Sequence, residues 1–313
     1  MAIIKPPALK KGSVVGLIAP ASPPTVPEKI TKGAEYLERL GYRVKLGKNI
    51  SKVHGYLAGT DQERADDIHE MFADKQVKAI IAVRGGYGTP RLLPLLNFSL
   101  IKKNPKILVG YSDLTALQLA IFKKTGLITF AGPMAGVEMW KEIDPFTEDH
   151  FWAMLTSKKK YGVIKNPDGK ELTTFNAGIT SGRLLGGNLS LISSIIGSPY
   201  IPSFKKSLLF IEEIEEECYR FDRMMNHLRI ANIFKETSGV IVGELTDVKA
   251  SDTSKPFLTV EQILNDYLKP LKKPIVTGLA HGHIPKKLTI PIGIKGTLNA
   301  GKRILTFDEA AVE

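Results

Sequence analysis

Cysteine is nearly absent from this chain: Cys218 is the single one in 313 residues. That excludes an intrachain disulfide framework and fits a reducing compartment. Apolar runs longer than a strand are also missing, so no transmembrane helix is expected. The N-terminus, Met1-Ala2-Ile3-Ile4-Lys5-Pro6-Pro7, has no apolar h-region and no cleavage site, which argues against secretion. A cytoplasmic location is what remains, with no membrane partner. There is no Gly-Lys-Ser/Thr phosphate loop, no H-E-x-x-H and no cysteine cluster, so neither a Walker-type nucleotide site nor a zinc site is read. Internal repeats and low-complexity tracts are lacking as well.

What is present is ordinary for a soluble enzyme, with 43% hydrophobic and 24% charged residues. The length suits two domains or one large α/β unit. The net charge of +11 invites a nucleic-acid reading. Yet the lysines are scattered, as in Lys102-Lys103, Lys158-Lys159-Lys160 and Lys286-Lys287, with no basic helix or interleaved aromatics. We read a solvated basic surface and no nucleic-acid partner; such a surface also helps attract an acidic small substrate.

The first half alternates strand and helix signals. Val14 to Ala19, Tyr42 to Leu46, Ala79 to Val83 and Ile107 to Val109 are strand-like, while Glu28 to Leu40 and Gln62 to Phe72 carry helical spacing. This rhythm predicts a doubly wound, largely parallel sheet over residues 1–145, with ligands beyond the strands' carboxyl ends. Between 146 and 177 the composition turns polar and turn-rich, which suits a connection. Over 178–313, strand signals at Leu208 to Ile211, Val240 to Val242, Ile275 to Thr277, Ile290 to Ile292 and Ile304 to Phe307 mix with helices near Tyr219 to Ala231 and Thr259 to Leu268. A second, mixed α/β domain with its own core is expected there.

Ile107 to Leu117 reads as buried strand, tight turn and amphipathic helix, with Ser112 at the turn. Such a turn holds a serine hydroxyl on the helix dipole, with the Asp113 N–H free to bind an oxyanion. Ser112 or Asp113 would equally serve as a plain helix cap. The second glycine of the G-x-S-x-G elbow is absent, as Leu114 stands there. Val83-Arg84-Gly85-Gly86-Tyr87-Gly88 follows another buried strand, and its glycines let backbone N–H groups approach an anion closely. A tight turn needing positive φ explains it as well. If both turns end strands of one sheet, an amide of Gly85 or Gly86 joins that of Asp113 in an oxyanion hole.

A nucleophilic serine needs a base and a group to orient it. Glu212-Glu213-Ile214-Glu215-Glu216-Glu217 would ordinarily be a solvated face. Glu212, however, ends the apolar run Leu208-Leu209-Phe210-Ile211. His281-Gly282-His283 lies in a loop, where a histidine is more often structural. His54, His69, His150 and His227 have no visible partner in sequence. Cys218 is a poor nucleophile, because neighbouring acids disfavour its thiolate.

Together these segments resemble the L,D-carboxypeptidases of peptidase family S66, which include the microcin-resistance hydrolases. The resemblance runs from Gly16-Leu17-Ile18-Ala19-Pro20-Ala21-Ser22-Pro23 to Pro291-Ile292-Gly293. Its most specific parts are Arg84-Gly85-Gly86-Tyr87-Gly88 with Arg91-Leu92-Leu93, and Gly110-Tyr111-Ser112-Asp113-Leu114-Thr115-Ala116-Leu117. Phe210-Ile211-Glu212-Glu213 leading to Tyr219-Arg220-Phe221-Asp222-Arg223-Met224, and Gly282-His283, complete it. The resemblance implies Ser112 as nucleophile, Glu212 as orienting acid, His283 as base, the glycine turn as oxyanion site, and neither cofactor nor metal. Two departures stand out: Glu213 where the family commonly has Asp, and Cys218 where a proline often precedes the tyrosine. Glu213 and His281 therefore stay open as substitute acid and base.

The resemblance further implies an active site at the domain interface and a homodimer. The substrate it implies is a murein tetrapeptide losing terminal D-Ala in cell-wall recycling. A microcin-type hydrolase cleaving a peptide-nucleotide amide is the alternative within the same chemistry. A non-enzymatic two-domain binding protein, or a nucleotide-binding protein using the glycine turn, are alternatives outside it.

Overall fold

The computed structural model describes residues 2–313. Fourteen strands form two sheets, of six and eight strands. In chain order they are β1 (Val14–Ile18), β2 (Arg43–Leu46), β3 (Val77–Ala82), β4 (Ile107–Val109), β5 (Thr129–Ala131), β6 (Gly162–Ile164), β7 (Thr173–Asn176) and β8 (Ile179–Asn188). β9 (Leu208–Ile214), β10 (Gly239–Thr246), β11 (Ile275–Thr277), β12 (Ile290–Ile292), β13 (Lys295–Asn299) and β14 (Ile304–Phe307) follow. The helices are α1 (Glu28–Arg39), α2 (Asp61–Ala73), α3 (Thr89–Leu92), α4 (Phe98–Lys103), α5 (Leu114–Thr125) and α6 (Pro145–Thr156), then α7 (Leu189–Ile195), α8 (Cys218–Ile230), α9 (Ile233–Glu236) and α10 (Val260–Leu268).

The first sheet has the order β12-β5-β4-β3-β1-β2, parallel throughout except for β12. The run Val77–Ala82 that forms β3 is buried at all but one position, as parallel strands covered on both faces must be. The direction of winding reverses between β1 and β3, and ligands favour the crevice at such a switch point. The turns after β1, β3 and β4 (Ser22, Gly85-Gly86 and Ser112) all lie at that end.

The second sheet, β6-β14-β13-β8-β9-β10-β11-β7, has a parallel centre of β8 to β11 and antiparallel flanks. Between the sheets runs α5, which touches both β8 and α7. Its sequence, LTALQLAIFKKT, is buried at nearly every position, so it behaves as an interior helix rather than an amphipathic one. Gly126, in the left-handed region at φ 81, closes it.

The α/β class and the two sheets agree with expectation; besides the interior character of α5, three details differ. Residues 146–177, expected as a connection, fold into most of α6 and into β6 and β7 at the edges of the second sheet. Edge strands face water and tolerate the polar, turn-rich composition that suggested a linker. β12, counted with residues 178–313, pairs instead with β5 of the first sheet. The buried apolar residues of the two sheets also join in one continuous core rather than two.

Candidate active site

Ser112 sits at φ 64, in a left-handed conformation uncommon for a residue with a Cβ. Holding it there costs on the order of 1–3 kcal/mol, strain that recurs at functional positions. The turn is tight because Gly110 leaves no room. A Cβ on it would lie 2.2 Å from Leu114 Cδ2 and 3.3 Å from Ala82 Cβ. Leu114, in the place of the elbow's second glycine, folds back over Gly110 and is fully buried. The missing glycine is therefore met by a complementary space. Gln118 braces the turn from α5, donating to the carbonyls of Gly110 (2.9 Å) and Phe130 (2.8 Å).

The glycine turn packs against this serine. A Cβ on Gly85 would come within 3.1 Å of Ser112 Cβ and 3.4 Å of its Oγ. Gly86, at φ 104, abuts Ser22, whose hydroxyl accepts the Tyr87 N–H at 3.1 Å. Asp113 ties the two turns together, accepting the N–H of Gly88 (3.1 Å) and of Thr89 (2.8 Å). Burial pushes its carboxyl pKa up, while those N–H bonds pull it down. The three residues expected to bind an oxyanion, Gly85, Gly86 and Asp113, are thus grouped around Ser112.

Glu212 and His283, expected as orienting acid and base, come from the side of the second sheet. Glu212, 1% exposed at its side chain, accepts from His283 Nδ1 at 3.0 Å. That bond places the proton on Nδ1 and leaves Nε2 as the nitrogen able to take another. Gly282 is required beside it: φ is 137, and a Cβ would sit 3.1 Å from Glu212 Oε2. The Tyr111 ring, next in chain to Ser112, packs edge-on against His283 at 5.0 Å between centroids. The Ser112 turn and the His283 loop therefore meet through Tyr111. No hydrogen bond joins Ser112 Oγ to His283 among the described residues; such bonds often tighten only with substrate bound.

The residues left open separate cleanly. Glu213 points to the other face of β9, where it accepts from Asn188 Nδ2 (2.9 Å), Ser190 N (2.8 Å), Ser190 Oγ (2.7 Å) and Ile214 N (2.9 Å). It anchors the start of α7. His281 is buried, with Nδ1 held by the Leu288 carbonyl at 2.7 Å, and burial lowers its pKa to about 4. His69, His150 and His227 have structural partners in the Asn97 N–H, the Thr289 N–H and Ser193 Oγ. Cys218 is buried at the start of α8, and burial raises its thiol pKa.

Sequence reasoning missed two groups. Asn188 N donates to Thr115 Oγ1 at 3.0 Å, and Gly187 leaves room for that threonine, fastening β8 to the head of α5. Glu138 and Lys287 make a buried pair beside Tyr111. Gly186-Gly187-Asn188 after an apolar pair was a visible signal for the first. Nothing local marked the second. A cavity of about 690 Å³ opens beside His283, lined also by Tyr111, Glu138, Ile284 and Lys287.

Comparison with known proteins bears on the family and the fold. Residues 15–132 match the model of the LD-carboxypeptidase N-terminal domain, and residues 181–298 that of the LD-carboxypeptidase C-terminal domain. The chain is 40% identical to the "Probable murein peptide carboxypeptidase" of Bacillus subtilis, over 99% of this chain and 96% of that protein. It superposes on muramoyltetrapeptide carboxypeptidase from Oxalobacter formigenes with a TM-score of 0.83 and 30% identity, covering 94% of this chain and 97% of the other. With MccF in complex with glutamyl sulfamoyl guanosine the TM-score is 0.88 at 27% identity, covering 99% of each chain.

Proposed function

The chain belongs to the LD-carboxypeptidase family, and on that premise we propose that Ser112, Glu212 and His283 are the triad of a serine carboxypeptidase acting on murein peptides. The observation that carries this reading is the pairing of a left-handed Ser112 with the His283–Glu212 bond of 3.0 Å, reached from opposite sheets. His283 Nε2 takes the hydroxyl proton as Ser112 Oγ bonds to the scissile carbonyl carbon. Backbone amides among Gly85, Gly86 and Asp113 hold the oxyanion that forms. The C–N bond then breaks, and His283 returns the proton to the leaving amine. Water, deprotonated by the same imidazole, releases the acyl group and regenerates Ser112. Glu212 keeps the imidazole in the right tautomer and stabilises its cationic form.

The leaving residue in this proposal is D-Ala, cut from an L-D amide of a tetrapeptide, and cell-wall recycling is the setting. The protein would act in the cytoplasm as a homodimer; among the described residues no helix is long and apolar enough to cross a membrane. Incubation with L-Ala-γ-D-Glu-meso-diaminopimelate-D-Ala should yield free D-Ala. The L-Ala epimer should react at least about a hundredfold more slowly, roughly 2.7 kcal/mol of discrimination. Equal rates for the epimers would leave a serine hydrolase of another specificity. Preferred cleavage of an aminoacyl sulfamoyl nucleoside would move the assignment to the microcin type.

A further inference from the structure

A buried ion pair that the triad does not use lies behind its base. Lys287 Nζ is 2.6 Å from Glu138 Oε1, with the two side chains 2% and 10% exposed. The Tyr111 hydroxyl closes a triangle, accepting from Lys287 at 2.9 Å and donating to Glu138 Oε1 at 2.8 Å. Glu138 Oε2 is taken by the Met134 N–H at 2.9 Å, and the ammonium stands 4.0 Å from the centroid of the Tyr111 ring. Every strong group in this cluster therefore has a partner. Leaving either charge alone would cost several kcal/mol.

The position of the cluster matters more than its strength. Tyr111 precedes Ser112, and its ring packs on His283 at 5.0 Å. Lys287 belongs to the loop that carries His283, and that loop is closed by Leu288 N donating to the Ala280 carbonyl at 2.7 Å. The Lys287 N–H also donates to Thr147 Oγ1 at 2.9 Å, and that hydroxyl donates to the Pro285 carbonyl at 3.1 Å. Glu138 sits on the segment after β5. The pair thus fastens the serine-bearing turn to the base-bearing loop, which enter from different sheets. Buried ion pairs rarely add net stability over an apolar isostere, so retention here needs another reason.

We propose that Lys287 and Glu138 form a positioning pair for His283, fixing Tyr111 so that the imidazole is held between its ring and Glu212, and balancing the charge beside it. This rests on His283 being the base. The charged and titratable groups around that imidazole are Glu212 from β9, Tyr111 from the β4 turn, and His281 and Lys287 from its own loop. Glu138 stands behind Tyr111, and Glu244 of β10 lies beside Gly282. Lys141, Glu142 and Asp144 border the adjoining cavity. Removing one member of the pair changes the local charge by one unit, with a sign set by which member goes.

The test compares Glu138→Gln, Lys287→Met and the apolar double variant Glu138→Leu/Lys287→Met, with Ser112→Ala as the control for the triad itself. Glu138→Gln leaves a cation near the base and should move the acid limb of the kcat/KM profile to lower pH; Lys287→Met should move it higher, each by about half a unit or more. The double variant should remain folded, melting somewhat below wild type because the Met134 N–H and the Tyr111 hydroxyl lose their acceptor, yet turn over at least about tenfold more slowly with KM little changed. A folded double variant with wild-type kcat, or single variants whose limbs move together or not at all, would overturn the proposal. Should the double variant not fold, Tyr111→Phe decides, since it keeps the ring and removes only the shared hydroxyl; unchanged kcat there overturns it too. An active Ser112→Ala would instead strike at the triad, separating the two failures.

Discussion

Glu212 and Glu213 are neighbours on β9 whose carboxylates point to opposite faces: one accepts from His283 Nδ1 at 3.0 Å, the other from Asn188 and Ser190 at the head of α7. Both are almost wholly buried, so exposure does not distinguish them. Strand alternation does. Glu212→Gln should lower turnover by about four decades with the fold intact, as loss of a triad carboxylate does. Glu213→Gln should keep kcat within a few-fold but lower stability by about 1–3 kcal/mol, because buried donors lose a charged acceptor. Kinetics and denaturant melts of the two variants decide; the reverse pattern would exchange their roles.

Ser112 trades stability for geometry. Replacing it with glycine removes a Cβ from a left-handed position at φ 64. Ser112→Gly should abolish turnover and raise stability by about 1 kcal/mol, the strain released. A melting temperature clearly below wild type would mean that the turn is not strained.

Gly85 tests the closeness of the two turns. Its φ lies outside the left-handed region, so an alanine is tolerated by the backbone, but its methyl would press on Ser112 Cβ at 3.1 Å. Gly85→Ala should therefore cut kcat at least about tenfold with little change in melting temperature. Normal turnover would place the reacting serine elsewhere.

The pH dependence of stability follows from two histidines buried in their neutral form. Burial lowers His281 to about 4 and His150 to about 3, from an ordinary 6.5. Between pH 6.5 and 5 the unfolded chain binds these protons and the folded one does not, so stability falls as pH falls. The slope should approach about 1.4 kcal/mol per pH unit for each group. The raised pKa values of buried Asp113 and Glu213 act in the opposite sense as pH falls through them. Urea midpoints at pH 7 and pH 5.5 read this; a midpoint that rises on acidification would contradict it.

Much of the candidate site is legible in the sequence because its signals are local. A buried strand, Gly110, Ser112 and an apolar helix write a turn in consecutive letters, and so does Val83 to Gly88. Local order cannot say which of Glu212 and Glu213 faces His283; that depends on which side of β9 the first sheet lies. The second glycine's replacement by Leu114 read as a departure, although the space over Gly110 accommodates it. β12 reads as a strand but is assigned with its sequence neighbours, because β6 to β11 of the second sheet intervene between it and β5. Glu138 and Lys287 are far apart in sequence and carry no motif. Only the fold brings them to Tyr111.

The central claim, that Ser112 is the nucleophile activated by His283 under Glu212, is tested most directly by covalent mapping. The wild-type protein would be treated with a fluorophosphonate, digested and mapped by mass spectrometry. One adduct on the Ser112 peptide, forming in step with loss of activity and suppressed in His283→Asn and Glu212→Gln, is the predicted result. Complete inactivation with the adduct on another residue, or an active protein that carries the adduct on Ser112, would contradict the account.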